Sequence, residues 1–381
     1  DIIEYMEQRT VQQILSERIT EFHGGARATL FNSGMSAIVQ TVLTLARTGD
    51  EIVASENIRS QVYHFFKTIL KDMGITVNFI RTSNPMEFES AISFATRFIF
   101  IDTEGSVYPE VLDIEKLSAI AHRNKIPLIV DTGGIPLDVL NPIKLGADIV
   151  VQDFSFVCGS DSFSGGAVIE RGKIDWRIFN VPLLKAEDSC CKNIRWAFDL
   201  KGAESNVAFS YRLKNVMKKL FDSEMSDYTA SYMLENFGEY KDSFVKRSET
   251  ALTVAEFLKN HEKVSWIIFP ELKGDKSYSA AVRFGSKFST YISFALKSEK
   301  SLDECVKIFF DNLNFKKIGH RAYSEATTIN YYSGLGDSCC DEEFYTNPNL
   351  PADLKGLIRI FIGTENAEDI VQELKKALDL I

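Results

Sequence analysis

Apolar residues Val11, Ile14, Leu15, Ile19 and Phe22 recur at helical spacing, and Gly24-Gly25 stops the run, which predicts an amphipathic helix with a glycine exit. Short apolar, β-branched runs then follow: Glu51 to Ala54, Val77 to Ile80, Phe98 to Asp102, Pro127 to Asp131, Asp148 to Gln152 and Ala167 to Glu170. Helical stretches separate them, among them Ser36 to Ala46, Gln61 to Met73 and Ile114 to Asn124. This alternation predicts an α/β fold, a mostly parallel sheet with helices on both faces. In such sheets ligands lie beyond the carboxyl ends of the strands, so the turns that follow each strand are where chemistry belongs.

From about Lys201 the pattern changes to a long mixed-charge helical stretch reaching Asn260. Strand-like pieces (Trp266 to Phe269, Ala280 to Phe284, Thr290 to Leu296), a helix near Leu302 to Leu313, and a closing strand and helix (Leu357 to Ile362, Ala367 to Leu380) come next. They predict a smaller C-terminal α+β domain, giving 1–22 as arm and helix, 23–232 as large domain and 233–381 as C-terminal domain. The polar, Tyr- and Gly-rich segment Tyr323 to Asn349 reads as a long loop.

Composition narrows the function. The chain has 381 residues, enough for about two domains, and its net charge of −10 argues against nucleic acid or anionic membrane as partners. No apolar run approaches the roughly 20 residues of a membrane span, and a cytoplasmic location is expected. Six cysteines in such a length argue against a disulfide scaffold. Two pairs share one setting, Asp188-Ser189-Cys190-Cys191 and Asp337-Ser338-Cys339-Cys340; adjacent thiols lack the usual spacing of metal ligands, and no metal is expected. The five histidines are scattered, as surface or helix-end residues would be.

Six segments carry a family likeness: Asn32-Ser33-Gly34-Met35, Gly49 to Ala54, Ile129-Val130-Asp131-Thr132, Leu145 to Val150, Gly165-Gly166-Ala167-Val168 and Ile358 to Gly363. In this order and spacing the chain resembles the Cys/Met-metabolism (trans-sulfuration) family of fold-type I pyridoxal-phosphate enzymes, such as cystathionine γ-synthase, cystathionine γ-lyase and O-acetylhomoserine sulfhydrylase. The resemblance implies that Ser33, Gly34 and Met35 cap the cofactor phosphate at a helix N-terminus. It implies that Asp131 pairs with the pyridine nitrogen, against the alternative of a strand-end Asp capping the next turn. Arg359 matches the arginine that grips the substrate carboxylate in a bidentate fork, or else pairs with a neighbouring carboxylate. Gly165-Gly166 reads as close backbone packing.

The same resemblance exposes departures. The Schiff-base lysine position holds Phe156, within Asp153-Phe154-Ser155-Phe156, and no lysine occurs between Lys144 and Lys173. Asp153 stands where the family has a phosphate-binding serine. A carboxylate about 4 Å from a phosphate costs roughly 4 kcal/mol per charge pair at an effective dielectric near 20. Arg59 replaces the ring-stacking tyrosine, Ser106 falls at the asparagine that contacts the cofactor, and Ile3 and Tyr5 replace the arm's phosphate donors. Cys158, two residues beyond Phe156, is a candidate nucleophile dulled by neighbouring carboxylates.

These losses lead to the expectation of a non-catalytic or regulatory homologue, without a covalent cofactor, with pyridoxal phosphate disfavoured and an amino-acid-like carboxylate as ligand. The alternative is a divergent transferase or lyase of sulfur amino-acid metabolism that uses a non-covalently held pyridoxal-phosphate adduct or another anion. A homodimer or tetramer, and an active paralogue as partner, complete the expectation.

Overall fold

A computed structural model describes residues 9–103, 105, 108–136, 138–154, 164–285, 287–297, 301–314, 326–332 and 356–381. Helix α1 (Val11–His23) begins with a reciprocal cap, the Gln13 N–H on the Thr10 hydroxyl and the Thr10 N–H on the Gln13 side chain, and ends at Gly24 with φ 67°. Its buried stripe is Leu15, Ile19 and His23, four residues apart, while Ile14 and Phe22 are exposed.

A seven-stranded sheet forms the first unit. Its strands are β1 (Arg27–Phe31), β2 (Glu51–Ser55), β3 (Thr76–Ile80), β4 (Thr96–Asp102), β5 (Leu128–Asp131), β6 (Ile149–Asp153) and β7 (Gly166–Glu170), in the order β1-β7-β6-β5-β4-β2-β3. β2 pairs in parallel with β3 and β4, and β5 with β6, whereas β7 runs antiparallel to both β6 and β1. Strands β4 to β7 are buried along their whole length, which is why each reads as an unbroken apolar run. Helix α2 (Gly34–Leu45) packs on β6 and β7. β1 escaped the sequence pattern because Arg-Ala-Thr-Leu-Phe neither alternates nor forms an apolar run. The long helical stretch after Lys201 is broken into short helical turns up to Leu220 and a separate 33-residue helix, Asp227–Lys259.

A four-stranded sheet forms the second unit: β8 (Val264–Ile268), β9 (Tyr291–Leu296), β10 (Thr328–Tyr332) and β11 (Leu357–Phe361), antiparallel in the order β10-β11-β9-β8. One face joins Ile292, Phe294, Ile329, Ile358 and Ile360 to a core with Leu258, Phe309 and Leu374 from three helices. Two expectations are corrected. Ala280 to Phe284 is helical, within Tyr278–Phe284, where Gly285 at φ 117° supplies the left-handed exit. β10 lies inside the segment read as a loop, since Thr-Ile-Asn-Tyr-Tyr has the β-branched and aromatic content of a strand. The first unit comprises the chain to Ser55, Phe66–Ile101 and Asp113–Gly238; the second comprises Glu56–Phe65, Asp102–Leu112 and the chain from Glu239.

Glu170, the last residue of β7, is buried and accepts from Trp176 Nε1 and the Ser210 N–H, both at 2.8 Å. Burial pushes its pKa up to about 7 despite those donors and the nearby Arg27. Because the folded pKa exceeds the unfolded value, the carboxyl's contribution to stability is full below about pH 4.5 and is lost as pH rises through about 7. Urea midpoints from pH 4 to 8 are expected to show the gap between the parent and Glu170→Gln narrowing as pH rises. Glu170→Ala strands two buried donors and is expected to cost about 1–3 kcal/mol for each.

Candidate functional site

Three neighbouring strands of the larger sheet end in a buried aspartate: β4 in Asp102, β5 in Asp131 and β6 in Asp153. The carboxylate of Asp131 accepts from the Gly133 N–H at 3.0 Å, the turn-capping contact, and the Asp153 N–H donates to the Gly133 carbonyl at 3.1 Å. One short turn therefore links the ends of β5 and β6.

The N-terminus of α2 meets this edge. Ser33 is its cap, its hydroxyl accepting from the Ser36 N–H at 3.1 Å. Gly34 lies against the Asp153 carboxylate, which a methyl group at that position would overlap. On the other side a Cβ on Gly166 would fall 2.8 Å from the Ser33 carbonyl and 2.9 Å from the Gly34 nitrogen. Gly166 thus lets the first turn of the helix sit on strand backbone, and Gly34 admits the Asp153 carboxylate to the helix end, where N–H groups and dipole favour an anion. Gly165 is equally confined, with the Met225 methyl 2.9 Å from the place of its absent Cβ. Both glycines serve close packing, as read from the sequence.

In the smaller unit, Arg59 presents its N–H to Asp102 at 3.1 Å, and its Nε lies 3.9 Å from the same oxygen. Sequence reasoning overlooked Asp102; its position as the last residue of an apolar strand, shared with Asp131 and Asp153, was the available signal. Arg359 lies mid-strand in β11 opposite Asn330 and Ser293. It is on the face away from the isoleucine core, only 7% exposed, with its guanidinium 5.2 Å from the Phe361 ring and 6.0 Å from that of Tyr291. An arginine held over aromatic rings keeps its charge and its planar donor fork.

The structure therefore brings Ser33, Gly34 and Asp153 together, with Met35 in the first turn of α2 and Asp131 one turn away; Arg59 and Arg359 belong to the other unit. Ile3, Tyr5, Ser106, Ser155, Phe156, Cys158 and the Cys339-Cys340 pair lie outside the described residues. Among the described residues no cluster of three or more His, Cys, Asp or Glu is placed to hold a metal ion, and no helix is long and apolar enough to cross a membrane. His23 is a helix-end residue, as read, the last of α1. It is fully buried, neither ring nitrogen has a hydrogen-bond partner among the described residues, and burial, then Lys144, lowers its pKa to about 3.

A mixed, mostly parallel sheet whose strand ends carry buried aspartates beside a glycine-packed helix N-terminus defines an α/β protein with its chemistry at the carboxyl edge of the sheet. Residues 5–379 match the model of the family described as Cys/Met metabolism PLP-dependent enzyme, and the chain belongs to that family. It is 28% identical over 375 residues to the O-acetyl-L-homoserine sulfhydrylase of Corynebacterium glutamicum, covering 95% of this chain and 82% of that protein. It is 26% identical to the homocysteine/cysteine synthase of Saccharomyces cerevisiae, with 98% and 85% covered. A solved structure from Campylobacter jejuni, of a protein assigned as an O-acetylhomoserine (thiol)-lyase with a pyridoxyl-lysine monophosphate, superposes with a TM-score of 0.83 at 23% identity, covering 97% of this chain and 86% of that one.

These relatives overturn two expectations. The reading as a non-catalytic, regulatory homologue gives way, because the family consists of enzymes and the full-length relatives are sulfhydrylases and synthases. The disfavouring of pyridoxal phosphate gives way likewise, because the family depends on it. The count of lost ligands concerns single side chains, whereas the family match spans residues 5–379.

Asp153 is the one member of the cradle whose charge opposes a phosphate. Asp153→Asn, neutral and of the same shape, is expected to tighten pyridoxal-phosphate binding by two to three orders of magnitude, the equivalent of roughly 4 kcal/mol. Calorimetric titration of parent and variant measures this, and equal affinities would place the phosphate elsewhere. Gly166→Ala is expected to destabilise the fold by about 1–3 kcal/mol in urea, since its methyl meets backbone that has no room to yield.

Proposed function

We propose that the chain is a transferase- or lyase-type enzyme of sulfur amino-acid metabolism that binds pyridoxal phosphate without a lysine link and acts on an amino acid bearing a leaving group on its side chain, O-acetyl-L-homoserine being the first to test. The observation that carries the reading is the glycine cradle of α2 beside Asp131 in a single structural unit.

The residues divide the work. The first turn of α2 offers N–H groups and the positive end of its dipole to the phosphate. Asp131, withdrawn from water, favours a protonated ring nitrogen and so sustains the cofactor's capacity to draw electrons from substrate. When bound, pyridoxal phosphate supplies that electron sink. Arg359 takes the substrate carboxylate in its fork, and its aromatic neighbours screen the pair from water. Phe156, at the lysine position by resemblance, offers neither an amine nor a proton, so cofactor and substrate are held by contacts alone. The working unit is a homo-oligomer.

The test is an equilibrium titration with pyridoxal phosphate, read by absorbance and calorimetry, with borohydride reduction and turnover assays on O-acetyl-L-homoserine plus sulfide. Expected are saturable binding, no protein-bound adduct after reduction, and release of acetate. No binding and no turnover overturn the reading. Arg359→Lys is expected to weaken substrate binding about tenfold to a hundredfold, the worth of a charge-assisted pair, while cofactor affinity stays as in the parent.

A further inference from the structure

Residues 223–225 touch both walls of the anion cradle. They follow a helical turn, Lys218–Leu220, closed by Asp222 at φ 45° and by the Ser223 N–H, which donates to the Lys218 carbonyl at 3.4 Å. That left-handed exit gives Ser223 a set place. Its carbonyl accepts from the Asn32 N–H at 3.0 Å, one residue before Ser33, the cap of α2. Two residues on, the Met225 methyl lies 2.9 Å from where a Cβ on Gly165 would stand, with the Thr229 methyl at 3.3 Å. Gly165 in turn precedes the Gly166 on which the first turn of α2 rests. All of these residues belong to the first unit.

A buried side-chain pair ties this segment to the helix. The Ser223 hydroxyl accepts from Gln40 Nε2 at 2.7 Å, and each residue is only 1% exposed. Gln40 lies on α2 itself, so Ser223 grips the helix twice, at its entry through a carbonyl and further along through a hydroxyl. Gln40 Oε1 has no hydrogen-bond partner among the described residues, and the bond to Ser223 orients the amide. On the outer side, Gln12 Nε2 of α1 donates to the Met225 carbonyl at 3.2 Å and to Asp227 Oδ1. A hydrogen bond between two groups withdrawn from water is costly to leave half made.

We propose, on the reading of α2 as the phosphate site, that Ser223 and Gln40 are positioning residues for the phosphate of pyridoxal phosphate. Their bond fixes residues 223–225, which set the Asn32 N–H, and with it the cap Ser33 and the N–H groups of the first turn, against Gly166. Neither side chain is a ligand. Both act through the place and direction of backbone donors, which serve only when held within about 0.5 Å of their working geometry by contacts outside the site. That precision counts here because the Asp153 carboxylate lies against the same helix end, and a displaced donor leaves its repulsion less opposed.

Ser223→Ala and Gln40→Met, singly and together, are compared with the parent and with Ser118→Ala, which removes a hydroxyl donating to the Gly146 carbonyl at 2.8 Å in the same unit. Pyridoxal phosphate is titrated calorimetrically, the phosphorus resonance of the bound cofactor is recorded, and amide exchange is followed without ligand. Expected in each single variant are a Kd raised about five- to tenfold, the worth of one hydrogen bond, a displaced phosphorus resonance, and exchange of the Asn32 N–H at least about tenfold faster. The double variant is expected to match the weaker single one, since both changes remove the same bond. Ser118→Ala is expected to lower the urea midpoint while Kd, resonance and Asn32 exchange stay as in the parent. A parent that binds, with single variants that bind equally well and show an unmoved resonance, overturns the positioning role alone. A parent that binds no pyridoxal phosphate overturns the phosphate reading and the positioning role together. Effects that multiply in the double variant overturn the shared bond, and an equal loss of affinity in Ser118→Ala assigns the effect to stability and overturns the role as well. Gln40→Met keeps the side chain's length and strands no buried donor, so it decides the question even if Ser223→Ala fails to fold.

Discussion

The close seating of α2 on the backbone of β7 is the contact on which the larger unit depends. It needs glycine at 166, whose Cβ would meet the Ser33 carbonyl and the Gly34 backbone, while glycine at 34 makes room for the Asp153 side chain at the end of β6. The same approach fixes what can be built there. A helix N-terminus held this rigidly offers its N–H groups at a fixed place, next to the turn that carries Asp131, so cradle and carboxylate form one geometric object rather than two sites on separate loops.

Electrostatics at this object pull in two directions. The dipole of α2 favours an anion, yet Asp153 already sets a carboxylate against Gly34. Any phosphate must share the helix end with that charge. Asp131 meets no such competition: it caps its own turn from a fully buried position. In the other unit the Arg359 guanidinium lies 5.2 Å from the Phe361 ring and 6.0 Å from that of Tyr291.

The buried strands were legible because a strand covered on both faces admits almost only apolar residues; β4, β5 and β6 stand within two residues of their expected positions. β1 was illegible although four of its five residues are buried, because Arg-Ala-Thr-Leu-Phe mixes a charged and a polar residue into so short a run. Tyr278–Phe284 misled because Ala-Ala-Val suits either state and the deciding residue is Gly285, outside the segment. Ser33, Gly34, Asp131 and Asp153 could be picked out through family likeness, whereas the meeting of Arg59 with Asp102 joins residues from different strand ends and has no local signature. The functional misreading had its own cause: counting lost ligands weighs single side chains, while the likeness to the family runs over residues 5–379.

The pairing of β1 with β7 bears on how the chain is made. Arg27 precedes its partner Glu170 by about 140 residues, a separation that makes closure slow. Until β7 emerges, β1 and the apolar stripe of α1 have nothing to pair with, and the nascent chain presents an open strand edge. Among the paired strands of the larger sheet, β1 therefore waits for β7, and the segment between them has to be made before that edge can close.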